Sequence, residues 1–138
     1  MKSLLSKESI NSQELESLLY ARKKGRVDFL LVDVREEREY ESAYIEGVDI
    51  LMPSSLFSEW SEDFCKVYRQ RAVIFTCRTG NRSGVLQRLC KANGMACVIN
   101  HAGGITAFCG ETIKADTVKK ENMAEHATTN EERLKYAE

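Results

Sequence analysis

Thr76-Cys77-Arg78-Thr79-Gly80-Asn81-Arg82-Ser83 gathers a nucleophile, two cations, three hydroxyls and a turn-forming glycine into one short segment. An apolar run, Ala72 to Thr76, precedes it, and a helix-compatible stretch follows. A helix starting within the loop leaves its first N–H groups unpaired and points its positive dipole end back at the preceding residues. Gly80 permits a turn that a Cβ would hinder, and Asn81 tolerates left-handed angles better than most residues. A chain curled in this way turns successive amides inward and forms an anion nest. Helix N-termini and nearby cations lower a thiol's pKa from about 8.5, to about 3.5 in extreme cases. The thiolate is the nucleophilic form. Cys77 is therefore the expected nucleophile, and the nest suits an anionic substrate or a persulfide. An inert cysteine closing a strand is the simpler reading, but it leaves the glycine and the two arginines beside it unexplained. Arg78 or Arg82 alone would pass for solvated surface charge. Their place in the loop argues for anion binding, more firmly for Arg82.

The surrounding elements must present this loop at a strand end. Asn11 and Glu14 form a capping box, with Ile10 and Leu15 as its hydrophobic staple. The helix they open carries Leu15, Leu18 and Leu19 and stops near Gly25. Phe29 to Val34 is short, apolar and β-branched, as expected of a strand buried on both faces. Residues 37–44 are helix-compatible, and Val48 to Met52 forms a strand ended by Pro53. Residues 54–65 form a helix bearing Leu56, Trp60 and Phe64, the last two spaced for core packing. The helix after the loop runs from about Arg82 to Asn93, with Val85, Leu86, Leu89 and Cys90 on its apolar side and Gly94 as its stop. Ala96 to Asn100 is a further strand. Strands alternating with helices imply βαβ units and a mostly parallel sheet of about five strands, with helices on both faces. In such sheets ligands bind at the carboxyl ends of strands, where the Cys77 loop begins.

The totals agree with one α/β domain. Of 138 residues, 43% are apolar and 30% charged, and the net charge is −1. Such a balance argues against disorder, and gives no bulk charge for nucleic acid. The N-terminal residues lack the apolar core of a secretory signal, and no apolar run is long enough to span a bilayer. A cytoplasmic protein with reduced thiols is the expectation. The five cysteines, Cys65, Cys77, Cys90, Cys97 and Cys109, are irregularly spaced without a Cys-x-x-Cys pair, which points to neither a disulfide framework nor a zinc site. Cys90 and Cys97 are expected in the core. Cys65 could be either core or surface. Cys109 follows Gly103-Gly104 and is best read as packing, with a resolving thiol as the alternative. The domain is assigned to residues 1–112. Residues 113–138 are read as a polar extension of short helices or partly frayed chain, with a capping box at Thr129 and Glu132. His126 within it carries no signal.

The Cys77 loop resembles the active-site loop of the rhodanese sulfurtransferase family, a cysteine followed by a short loop ending in Arg-Ser. Asp33-Val34-Arg35 with Glu39-Tyr40 resembles the family's first motif, and Ala43-Tyr44-Ile45-Glu46-Gly47 stands where the family has Gly-His-Ile-x-Gly. Pro53 matches the proline after the next strand. Gly103-Gly104-Ile105-Thr106-Ala107-Phe108 resembles the closing Gly-Gly segment. The matches keep family order from about residue 29 to residue 108. Tyr44 replaces a histidine and Phe108 a tryptophan, changes that bear on packing more than on chemistry.

This resemblance implies a rhodanese-like fold and two-step sulfur transfer. Cys77 takes sulfane sulfur from a small anionic donor, thiosulfate or polysulfide, becomes a persulfide, and passes the sulfur to cyanide, a thiol or a protein acceptor. The residues implied to bind substrate are Arg78, Thr79, Gly80, Asn81, Arg82 and Ser83. No metal or organic cofactor is implied. The nearest rival is a cysteine-dependent phosphatase or arsenate reductase of the same fold. Its loop places the arginine one position further from the cysteine than Arg82 stands from Cys77. A sulfur-relay or regulatory binding module is the other alternative, against which the intact loop argues. Asp33 is expected to cap a turn or pair with an arginine, and Arg35 to pair with Asp33 or Glu39. His101 follows a strand on the same side as the loop, where it either borders the site or serves structure alone.

Overall fold

The computed structural model describes residues 3–114. Its elements, in chain order, are β1 (Ser9–Ile10), α1 (Ser12–Lys23), β2 (Leu30–Asp33), α2 (Glu37–Ser42), β3 (Ala43–Ile45), β4 (Ile50–Leu51), α3 (Phe57–Val67), β5 (Ala72–Thr76), α4 (Asn81–Ala92), β6 (Cys97–His101), α5 (Gly104–Ala107) and β7 (Thr112–Lys114). Five strands form one parallel sheet in the order β1-β6-β5-β2-β4. β3 and β7 make a separate antiparallel pair. The expected mostly parallel sheet of five strands, with helices around it, is the observed architecture.

Alternation along the central strands divides the core in two. Leu30, Val32, Val73, Phe75 and Val98 face a cluster with Trp60, Phe64, Leu86 and Cys90 from α3 and α4. Leu31, Ile74 and Ile99 face the other way, onto Leu15 and Leu18 of α1, with Ile10 and Phe29. Each large apolar side chain buried here stabilises the fold by about 1.5–3 kcal/mol. Both sides of β2 and β5 are covered, so their sequences read as apolar runs up to their last residue.

The Asn11 capping box forms as expected. Asn11 Oδ1 accepts from the Glu14 amide at 2.8 Å, and Glu14 Oε1 accepts from the Asn11 amide at 2.9 Å. Two helix faces differ from expectation. On α4, Val85 and Leu89 are 47% and 44% exposed. The side turned inward carries Ser83, Gly84, Leu86, Gln87 and Cys90. The loop that positions Cys77 fixes the rotation of α4, and it turns Ser83 toward the sulfur. Val85 and Leu89, one turn apart, then share the outer face. Leu56 is likewise exposed, because it closes a short 3₁₀ turn (Ser54–Leu56) ahead of α3.

Three strands are too short to show a period in the sequence: β1, β7, and β3, whose Ala43 and Tyr44 fall in the stretch expected to be helix-compatible. β7 lies across the expected domain boundary at residue 112. The Thr129–Glu132 capping box and His126 lie outside the described residues. Among the described residues, no helix is long and apolar enough to cross a membrane.

Candidate active site

β5 delivers Cys77 to the carboxyl edge of the sheet, between the ends of β2 and β6. The chain then reverses into α4 through Gly80, whose φ is +95°. A Cβ there would lie 2.9 Å from the Gly103 amide nitrogen and 3.2 Å from the His101 carbonyl, so both conformation and space require glycine. Among the described residues positive φ occurs only at glycines. Asn81 therefore does not supply the left-handed turn; it is the exposed first residue of α4.

Cys77 is 1% exposed, and its Sγ sits inside the turn. The Gly80 amide donates to Sγ at 3.1 Å and the Ser83 amide at 3.4 Å. Ser83 Oγ lies 3.3 Å away. Burial by itself pushes the thiol pKa up. The Ser83 hydroxyl and the amides of Ser83, Gly80 and Thr79 outweigh it, leaving the pKa below the ordinary cysteine value. Cys90, buried without such donors, is pushed above the ordinary thiol range by burial and by Cys65 beside it. Both sulfurs are buried, so the difference lies in the donors.

The loop is clamped from outside by the Gly103-Gly104 segment. The Ile105 amide donates to the Cys77 carbonyl at 2.9 Å, and the Thr106 amide donates to the Arg78 carbonyl at 3.1 Å. The Thr106 hydroxyl donates to the same Arg78 carbonyl. Gly104 has φ +59°, and a Cβ on it would run into the carbonyls of Cys77 and Arg78. The two motifs are thus one assembly, although they stand far apart in the chain.

The two loop arginines have different surroundings. Arg82 is held by Glu39 through bonds of 2.7 and 2.8 Å, Nη1 to Oε1 and Nη2 to Oε2. The Arg82 guanidinium, with the Glu36 amide, holds the Glu39 carboxyl down at about 2 against a smaller push from burial. Arg78 is exposed and forms no ion pair among the described residues. Thr79 and Asn81 are also exposed, while Ser83 is fully buried. Behind the loop, Arg35 is fixed by the Asp33 carboxylate at 2.7–3.0 Å and by the carbonyls of Glu39 and Ala43. Asp33 also accepts from the Arg35 amide, which caps the turn after β2. This buried pair ties β2 to α2, and α2 in turn carries Glu39.

His101 lies beneath the loop. Its Nδ1 is 2.8 Å from Thr76 Oγ1 and its Nε2 is 2.9 Å from Ser12 Oγ, with none of its surface exposed. Burial lowers its pKa to about 4. It joins β5, β6 and the start of α1, and Phe108 packs edge-on against it. Cys109 is exposed in the turn before β7. Tyr44 stacks on Tyr40 with ring centres 4.2 Å apart.

Two residues join the site that the loop motif did not single out. Glu39 does so as the partner of Arg82. Asn100 does so through Ser83: its Oδ1 lies 2.6 Å from Ser83 Oγ, and its Nδ2 donates to the Gly80 carbonyl at 3.2 Å. The one available signal for Asn100 was an amide at the end of the apolar strand Cys97-Val98-Ile99.

The model of the rhodanese-like domain family matches residues 13–111. Over 78 residues the chain is 32% identical to the probable adenylyltransferase/sulfurtransferase MoeZ of Mycobacterium tuberculosis, covering 56% of this chain and 19% of that protein. The chain spans less than a third of the length of the curated relatives it matches. A rhodanese-like domain protein from Staphylococcus aureus superposes with a TM-score of 0.62 at 25% identity, covering 76% of this chain and 94% of that one. The thiosulfate sulfurtransferase of Pseudomonas aeruginosa shares the fold, with a TM-score of 0.62 at 20% identity over 78% of this chain and 20% of that one.

Proposed function

The chain belongs to the rhodanese-like family, and on that premise we propose that it is a sulfurtransferase that carries sulfur as a persulfide on Cys77. One observation carries the reading: Cys77 Sγ receives the Gly80 and Ser83 amides and faces the Ser83 hydroxyl, in a turn built by Gly80. These donors favour the thiolate over the neutral thiol, and the thiolate attacks sulfur. The sulfurtransferase named among the relatives is consistent with it.

In the first step the Cys77 thiolate attacks the outer sulfur of thiosulfate or a polysulfide. A new S–S bond forms, the donor's S–S bond breaks, and its electron pair leaves on sulfite or the shortened polysulfide. In the second step a thiolate or cyanide attacks the terminal sulfur of the persulfide, and the bond electrons return to Cys77. Arg78 draws the anionic donor inward. Arg82, held by Glu39, shapes the loop and adds a partly compensated charge. The amides of Thr79, Gly80 and Ser83 stabilise charge on the bound sulfur, and Asn81 opens the helix whose dipole reinforces them. Donor and acceptor use the same sulfur in turn, so ping-pong kinetics follow. The cytoplasm, with its reduced thiols, is the proposed setting.

Intact mass after treatment with thiosulfate or polysulfide, with and without Cys77→Ser, tests this. The expected result is a gain of one sulfur that cyanide removes and the variant lacks. Loading of neither donor, or equal loading of the variant, overturns it.

A further inference from the structure

Ser83 has one hydroxyl proton and two neighbours that compete for it, Cys77 Sγ at 3.3 Å and Asn100 Oδ1 at 2.6 Å. The Gly80 carbonyl fixes the orientation of the Asn100 amide. A carbonyl can only accept, so the NH₂ group of Asn100 faces it and Oδ1 faces Ser83. Oδ1 also only accepts, and at 2.6 Å it takes the Ser83 proton. The space for this amide comes from Gly84, where a Cβ would lie 3.2 Å from Asn100 Nδ2.

We propose that Asn100 is a positioning residue that acts through Ser83, holding the hydroxyl proton when Cys77 Sγ is neutral and releasing it to the sulfur when Sγ carries charge. This rests on reading Cys77 as the sulfur carrier. With a neutral thiol the network is a chain in which Cys77 S–H donates to Ser83 Oγ and Ser83 O–H donates to Asn100 Oδ1. With a thiolate, a lone pair of Ser83 would face a negative sulfur unless the hydroxyl turns. It turns, donates to Sγ, and leaves Oδ1 without that proton. Sγ is anionic before it attacks the donor and again as it is released from the transferred sulfur. In the persulfide Sγ is a neutral inner sulfur, and the hydroxyl returns to Asn100. Ser83 thus assists the two steps that place charge on Sγ, and Asn100 sets how readily it does so.

Every element packed on the sulfur contributes its charged or ionisable groups to the same background. Arg82 on α4 interacts with Cys77 and is held by Glu39 of α2, with Glu36 near it. Arg78 is exposed in the loop, β2 ends on the Asp33–Arg35 pair, β6 supplies a neutral His101, and α5 carries no ionisable side chain. A rotating hydroxyl moves none of these charges.

The test is the pH dependence of iodoacetamide alkylation, followed on the Cys77 peptide by mass so that exposed Cys109 does not interfere. Asn100→Ala removes the competing acceptor. Its alkylation midpoint should fall by about 0.5–1 pH unit, the equivalent of one neutral hydrogen bond. Ser83→Ala should raise the midpoint, and the double variant should match Ser83→Ala, because Asn100 acts only through that hydroxyl. An unchanged or raised midpoint in Asn100→Ala overturns the proposal. So does the same downward shift in both backgrounds, which would mark Asn100 as merely structural. Should Asn100→Ala fail to fold, Asn100→Ser carries the test, since its hydroxyl is too short to reach Ser83. Alkylation needs no sulfur donor, so a negative result here is distinct from a failure of sulfur loading.

Discussion

Glu39 and Arg82 meet through two parallel hydrogen bonds, 2.7 and 2.8 Å long, across 43 residues of chain. The pair joins α2 to the first turn of α4, and it holds one of the two loop arginines in a single geometry. With side chains 30% and 35% exposed, the pair adds less than about 1 kcal/mol to stability.

Glu39→Gln keeps an acceptor for Arg82 and removes the negative charge. The guanidinium then acts uncompensated on an anionic donor. The KM for thiosulfate should fall about two- to five-fold at low ionic strength, and the gain should shrink with added salt. Steady-state kinetics at two salt concentrations measures this, and a KM that rises or ignores salt contradicts it.

Gly104→Ala forces a side chain into the carbonyls of Cys77 and Arg78, at a φ of +59°. The clamp on the loop must move. Unfolding midpoints should show a loss of about 2 kcal/mol or more, and the Cys77 midpoint for alkylation should rise as its amide donors are displaced. A stable variant with unchanged Cys77 reactivity would falsify the clamp.

Asp33→Asn leaves the buried Arg35 guanidinium without its carboxylate, at a cost of about 3–5 kcal/mol. Replacing both residues with apolar ones of similar size should recover much of that loss. Denaturant unfolding of the single and double variants separates the two outcomes. Equal losses would mean that the pair matters for more than mutual compensation.

His101 gives the fold a pH-dependent stability. Burial depresses its folded pKa to about 4, below the ordinary 6.5. Above pH 6.5 it is neutral in both states and has no effect. As pH falls toward 4 the unfolded chain gains the proton first, so stability drops, by about 3 kcal/mol in all once pH is below both values. Glu39 acts lower, between 4.5 and about 2, where its contribution fades as it protonates. Thermal unfolding between pH 7 and 4 should therefore be shallower in His101→Gln than in the parent. Identical slopes would remove His101 from this role.

The sequence by itself determined the type of fold and singled out the Cys77 loop as the candidate site. β2 and β5 read as apolar runs up to their last residue because both faces of the sheet are covered, and the turn into α4 is written in Gly80 because no other residue fits that φ and that space. Such information is local and survives in the order of the residues. Only the tertiary structure decided which partners meet at the sulfur. Nothing near Glu39 marks it for Arg82, nothing near Asn100 marks it for Ser83, and Ile105 and Thr106 reach the loop carbonyls only because β5 and β6 lie side by side. The rotation of α4 was likewise hidden. Its helical spacing allows Val85 and Leu89 an inward face as readily as Leu86 and Cys90, and the choice falls to Ser83, whose amide must point at Cys77. Periodicity fixes the spacing of a helix face but not its angle about the axis, and here that angle is set by a hydrogen bond to the sulfur.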